Sequence, residues 1–278
     1  MFRYTFATGV REVLFWIAAL ISLIPFYFLV VIAFKSDEEF NTTSLVAPPT
    51  SLDFSNFIAV ATSTGNSNVL HGLAVSITIT TLTVLLLVAI GSVTGYVIAR
   101  KTSRWSRVAY YTFLVAIILP SQLALVPLYI GARQLELTGS IPGMIIVYTG
   151  LFVPLATFLY AGFFRGLGTE YEEAALIDGA TRGQIFLHIV LPLMAPATGT
   201  VAIMTGLIVW NDFFISLIFL GGSDVQTLPV SMYYYVGSLV SDWNEIFAIV
   251  IISMIPMLTF FLLAQKKFIQ GFAGGLKG

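Results

Sequence analysis

An all-α membrane protein built from six spanning helices is the fold class predicted by the sequence, on three observations. Of its 278 residues, 58% are hydrophobic and 10% charged, with a mean hydropathy of +0.93, which is far from a water-soluble domain. Six stretches, 13–34, 72–99, 108–132, 143–164, 197–220 and 246–264, carry almost no charge. Each reaches the ~20 apolar residues that cross a hydrocarbon core ~30 Å thick. The runs are continuous and do not alternate over ~10 residues, which selects helices over a barrel.

Charge placement sets the topology. With a cytosolic N-terminus, the inner side holds Arg3, Arg11, Arg100, Lys101, Arg104, Arg107, Arg165, Arg182, Lys266, Lys267 and Lys277. The outer side holds only Lys35 and Arg133. Cytosolic loops of membrane proteins carry the surplus of Lys and Arg, so both ends are expected inside. The whole of 1–278 reads as one membrane domain.

The first span follows Arg3 and Arg11 as a signal peptide would. Its apolar run exceeds the ~7–15 residues of a signal core and no A-x-A site follows, so it reads as a retained helix. Residues 35–71 form an extracytoplasmic loop rich in Ser, Thr, Asn and Pro, in which Phe54, Phe57 and Ile58 suggest local packing. The second helix contains Gly91-Ser92-Val93-Thr94-Gly95, a G-x-x-x-G pattern that lets two backbones approach closely. The basic turn 100–107 reads as a headgroup anchor. Pro120 and Pro127 in the third span, with Ser121 and Gln122, fit either a structural kink or a bent helix lining a pathway.

The fourth and fifth spans are joined by a cytosolic loop, 165–196, with four acids (Glu170, Glu172, Glu173, Asp178) where basic residues are the rule. Thr169 with Glu172, and Thr181 with Gln184, are capping-box pairs, predicting two short helices with a turn at Asp178-Gly179. Tyr171, Ala174, Ala175 and Asp178 share one face of the first helix at i, i+3, i+4 and i+7. Ile185, Phe186, Ile189 and Val190 can anchor the second helix to the bundle, and Leu191-Pro192 ends it. A solvated joint between two spans is the plainer reading; a docking knob for a soluble partner is the sharper one.

Asp212, after Trp210 and Asn211, is the only ionisable residue inside a span. A charge in the bilayer interior usually faces a cavity or a partner, so these three are candidate pathway residues beside a packing role for Asp212. The outer segment 221–244 carries Tyr233-Tyr234-Tyr235 and Trp243, which suit an interfacial belt or an outer-gate contact.

Several chemistries are excluded. There is no cysteine, hence no disulfide, thiolate catalysis or Cys-based metal site. His71 and His188 stand apart without matching ligands. The Gly271–278 cluster lacks the P-loop spacing. Thirteen basic against 14 acidic residues give no field for nucleic acid. No nucleophile–base or paired-carboxylate constellation is present, so the chain reads as a transport subunit and not an enzyme.

The string Glu173-Ala174-Ala175, Asp178-Gly179-Ala180, Phe186, Ile189, Leu191-Pro192 and Pro196 closely resembles the cytosolic motif of binding-protein-dependent ABC importer permeases. Trp210-Asn211-Asp212-Phe213, the third-span prolines with Leu128-Tyr129 and Gly139, and the ending from Gln265 to Gly278 resemble the carbohydrate-uptake branch. The likeness is to the second permease subunit of maltose-type transporters and spans nearly the whole chain. Gly168 departs from the Pro common in that family, and His71 to Ser76 matches only loosely.

The resemblance implies a type I importer permease fold. It also implies a second permease subunit, two ATP-binding subunits carrying ATP and Mg, an extracytoplasmic solute-binding protein and a sugar or oligosaccharide. This chain itself would bind no cofactor. Glu172, Glu173, Ala174, Ala175, Asp178, Gly179, Ala180, Leu191 and Pro192 would form the ATPase-coupling loop, and the cytosolic tail 265–278 would lie against the ATPases. An ion-coupled secondary transporter working without an ATPase is the alternative, and it usually needs more intramembrane charges and an inverted repeat.

Overall fold

The computed structural model describes residues 6–65, 68–236 and 242–275, and every regular element among them is helical. Four helices are long and apolar enough to cross a membrane singly. They lie within α1 (Phe6–Ala33), α4 (Val69–Arg100), α7 (Ile141–Gly166) and α14 (Trp243–Gly275). The count reaches six only if two bent pairs each serve as one span.

The first bent pair falls at Pro120, where the third span was expected to kink or bend, and the bend is sharp. α5 (Arg104–Ile118) and α6 (Ser121–Gln134) meet at 103°. A residue before proline is pushed out of the helical region, and Leu119 accordingly adopts φ −68°, ψ 130° ahead of Pro120. Pro127, by contrast, is tolerated inside α6.

The expected fifth span, 197–220, is also interrupted. α11 (Ala195–Asn211) stops at Asp212, whose ψ of 122° is extended, and α12 (Phe214–Leu220) resumes beyond it. The second bent pair lies upstream, where the helical stretch Arg182–Leu193 meets α11 at 73°.

The chain divides into two compact units, Met1–Leu70 with Ser231–Ile255, and His71–Val230 with Pro256–Gly278. In the first, the loop expected at 35–71 is folded. Ser36 caps α2 (Asp37–Thr42), accepting from Glu39 N, and α3 (Ser55–Thr62) follows. Phe34, Phe54 and Phe57 form a ring cluster with centroids 4.9–6.1 Å apart, while Ile58 stays exposed. Lys35 is fully buried, and its ammonium donates to Thr43 Oγ1 at 2.8 Å and Ser44 O at 2.7 Å. Asn56 Nδ2 donates to Ala33 O and Lys35 O, and Asn244 Nδ2 to Asp37 Oδ1. These bonds satisfy the buried polar groups that such a loop would otherwise strand.

In the second unit α7 is central. The G-x-x-x-G reading of α4 is borne out: a Cβ at Gly91 would meet Ala156 Cβ at 2.9 Å, and one at Gly95 would meet Tyr160 Cβ at 2.6 Å. One apolar core gathers Val75, Ile79, Tyr148, Val209 and Phe219. Another gathers Leu87, Ala156, Tyr160 and Phe164 and extends into the loop after α7 through Ala175, Ile185 and Val190.

Candidate functional site

The loop after α7 contains the two expected short helices, α8 (Glu170–Ile177) and α9 (Arg182–Ile185). Gly179 stands between them at φ +83°, the left-handed conformation that side chains resist. Nothing lies within 4 Å of a Cβ built there, so backbone conformation and not crowding selects glycine. The capping box at Thr181 and Gln184 is formed in both directions.

The other capping box is not formed. Thr169 is itself helical (φ −89°, ψ −5°) and its hydroxyl donates to Glu173 Oε1 at 2.8 Å. Glu172 is drawn elsewhere by a stronger, charged donor. Its Oε1 accepts from Arg100 Nε and its Oε2 from Tyr96 OH, each at 2.7 Å. The remaining guanidinium nitrogens donate to Phe164 O at 2.8 Å and Leu167 O at 3.0 Å. Side-chain exposures of 17% and 12% make this a largely buried pair that fastens α8 to the ends of α4 and α7. Tyr96 also packs its ring against Phe164 and Phe186. Sequence reasoning missed Tyr96 and Arg100, whose shared partner Glu172 lies more than seventy residues away.

The expected docking face divides. Ala175 is buried in the core beside Tyr160 and Phe164, whereas Tyr171, Glu173, Ala174, Asp178 and Gly179 are exposed and Ala180 is half-buried. The reason is helical period: Ala175 and Glu172 lie three residues apart on the side that meets the bundle. Leu176 (51% exposed) and Ile177 (87%) project outward and were missed, although two adjacent aliphatics in a short polar helix were a readable signal.

Ile185 and Val190 are buried, and Phe186 and Ile189 pack against the same core, as expected. Leu191-Pro192 does not end the helical path there. The backbone widens to a π turn over Phe186–Val190, with Leu191 N bonding to Phe186 O, and a short helix α10 (Leu191–Leu193) runs to Met194. A π turn absorbs the donor that Pro192 lacks. Leu191 is half-buried and Pro192 exposed. A groove of ≈ 580 Å³ lies between the end of α4 and the α8–α9 pair, lined by Arg100, Glu173, Leu176, Arg182 and Phe186.

The three candidate pathway residues also separate. Asp212 sits at the break between α11 and α12, not inside a helix. Its Oδ2 accepts from Tyr148 OH at 2.6 Å and from Ser216 N at 3.0 Å, so the carboxylate caps α12 and satisfies a fully buried phenol. Asn211 is exposed and donates to Leu207 O. Trp210 is 8% exposed and lines a mainly apolar cavity of ≈ 430 Å³ with Ile77, Val84, Leu85, Met257 and Phe260, to which Thr80, Thr81 and Thr198 add the polar edge. Of the three, only Trp210 faces that cavity.

On the outer segment, α13 (Leu228–Val236) carries the expected tyrosines, with Tyr233 exposed and Tyr235 OH donating to the Glu245 carboxylate. The tail remains helical to Gly275, and 276–278 lie outside the described residues.

Comparison with known proteins gives the class of protein to which these helices belong. Residues 87–273 match the binding-protein-dependent transport system inner membrane component family, and the chain belongs to it. It is 31% identical over 268 residues to a probable starch degradation products transport system permease of Thermoanaerobacterium thermosulfurigenes, covering 96% of this chain and 93% of that one. It is 32% identical to a melibiose/raffinose/stachyose import permease of Bacillus subtilis, covering 93% and 92%. With a trehalose transport system permease of Mycobacterium tuberculosis it shares 30% identity over 97% of this chain and 100% of that one. Its fold is similar to a chain of a bacterial ABC transporter involved in the import of alginate, with TM-score 0.84, 22% identity and coverage of 96% and 100%. The chain is therefore a multi-pass plasma-membrane permease of an ABC importer. ATP hydrolysis belongs to a separate subunit, and a partner permease and a solute-binding protein complete such a system.

Proposed function

We propose that this permease forms half of the pathway for a sugar or oligosaccharide and takes its drive from an ATPase seated on residues 169–192. The carrying observation is the two-sidedness of α8. One side is fastened through Glu172 to Arg100 and through Ala175 to the α7 core, while Tyr171, Ala174, Ile177 and Asp178 stand open. Force applied to the open side is delivered to α4 and α7, since a packed core shifts as a unit. Two ATP-binding subunits, holding ATP and Mg, would each meet one permease of a heterodimer. Glu173 and Gly179 would lie at the contact, and the cytosolic tail 265–278 would lie against the ATPases.

Trp210 gives the ≈ 430 Å³ cavity an aromatic face on which a sugar ring can stack, within a lining that Ile77, Val84, Leu85, Val88 and Met257 make mainly apolar. The carbohydrate substrates of the relatives named above support that class. The test is reconstitution. The assembled complex should take up oligosaccharide with ATP, and the chain alone should transport nothing. Glu173→Lys should insert and assemble yet hydrolyse ATP without uptake. Wild-type uptake by that variant would count against ATPase contact at α8.

A further inference from the structure

Beyond the groove at α8–α9 and the cavity at Trp210, a third, half-open cavity lies at the turn between α4 and α5. It encloses ≈ 310 Å³ and is lined by Lys101, Ser103, Ser106, Arg107, Tyr110 and Arg165 among others. No acid lines it, and among the described residues none of its three cations is ion-paired. Arg165 is held with Cζ 4.2 Å above the Tyr110 ring, so its guanidinium is positioned rather than free to sweep solvent. Ser103 Oγ accepts from Ser106 N and keeps its own proton to donate. Three cations, one hydroxyl donor and no competing carboxylate make a site for a phosphate oxyanion.

The source of that phosphate is read from the surroundings. The helix that opens at this cavity carries Trp105 at 80% exposure, Val108 at 50% and Tyr111 at 56%. An aromatic and aliphatic exposed face beginning beside a basic turn marks the boundary between headgroups and hydrocarbon, and this turn belongs to the cytosolic side by its charge. We propose that the cavity binds the phosphate of an anionic phospholipid of the cytosolic leaflet, clamping lipid between the ends of α4, α5 and α7. Arg165 immediately precedes the short-helix pair, so bound lipid also steadies the end of α7 from which α8 departs.

Native mass spectrometry of the assembled transporter, titrated with phosphatidylglycerol or phosphatidylcholine, tests this. Phosphatidylglycerol should be retained in preference to phosphatidylcholine. Lys101→Gln and Arg107→Gln should each weaken that retention about fivefold, the effect of one cation near an anionic surface. Arg104→Gln removes the same charge from the same turn but lies outside the cavity lining, and should leave retention unchanged. Equal retention of the two lipids, or equal losses from Arg104→Gln and Arg107→Gln, would overturn the site. Displacement of phosphatidylglycerol by an equimolar amount of inorganic phosphate would overturn the lipid assignment in favour of a free-phosphate site.

Discussion

Glu172 Oε1 lies 2.7 Å from Arg100 Nε, joining the first turn of α8 to the last residue of α4 across seventy-two positions of sequence. The pair is one edge of a larger knot. Arg100 also binds the carbonyls of Phe164 and Leu167, and Glu172 also accepts from Tyr96. A guanidinium fork serves three acceptors at once, which a lysine in that place could not reproduce. α8 is thus tied to two spanning helices by one side chain.

The two partners are not equivalent when removed. Arg100→Ala should cost roughly 3 kcal/mol, since it strands a largely buried carboxylate and frees two carbonyls. Glu172→Ala should cost only about 1–2 kcal/mol, because Arg100 keeps its carbonyl acceptors. Thermal denaturation of the purified assembly reads the order; equal losses would mean that the carbonyl bonds contribute nothing.

Gly179 offers a cleaner separation of conformation from space. Its φ of +83° disfavours any β-carbon by ~1–2 kcal/mol, yet the site is open. Gly179→Asn should therefore keep the turn between α8 and α9 and retain more uptake than a β-branched replacement, since asparagine tolerates this region. Gly179→Val should uncouple ATP turnover from uptake while the protein still inserts. Transport and ATPase assays on the two variants check it.

At Gly95 the constraint is the reverse. A Cβ there meets Tyr160 Cβ at 2.6 Å and Ala161 N at 3.0 Å, the first fixed to and the second part of the backbone of α7. Gly95→Val should force α4 and α7 apart and destabilise the bundle by ~1–3 kcal/mol. Gly131, which has nothing within 4 Å, is the control: Gly131→Ala should leave the melting temperature near wild type.

The contrast between these glycines shows what was legible in the sequence. Gly91 and Gly95, the turn at Gly179 and the Thr181–Gln184 box were all readable because each is a local pattern whose geometry follows from spacing. The six apolar runs were readable as membrane matter, but not their continuity. Pro120 marked the bend of the third span but not its 103° size, and hydropathy does not show that Asp212 starts a new segment. Thr169 and Glu172 failed as a cap because Arg100, seventy-two residues away, competes for the same carboxylate. Ala175 was misplaced for a similar reason: helical spacing defines faces but not which one the core takes.

Asp212 tests whether a buried acid serves packing or passage. Its one oxygen accepts from Tyr148 OH and Ser216 N, and an amide oxygen can accept the same two bonds. Asp212→Asn should therefore keep stability and uptake near wild type. Asp212→Ala removes the acceptor and leaves the Ser216 N–H uncapped, costing about 1–3 kcal/mol. A large fall in sugar affinity for Asp212→Asn, with the melting point unchanged, would instead assign the carboxylate to the pathway.

The two neighbouring alanines of α8 give the sharpest check on which way that helix faces. The chain contains no cysteine, so a single engineered thiol is the only one it carries. Ala174 is exposed, and Ala174→Cys should crosslink to an ATP-binding subunit in the assembled importer. Ala175 is 7% exposed and packs within the core that includes Phe164 and Ile185, so Ala175→Cys should stay unreactive in the folded complex and become labelled only on denaturation. Ala174→Cys, at the surface, should cost no more than ~0.5 kcal/mol, and Ala175→Cys, which adds one heavy atom to a packed core, about 1–3 kcal/mol. Crosslinking through position 175 with none through 174 would require α8 to be turned about its axis, and would detach Glu172 from Arg100 as well.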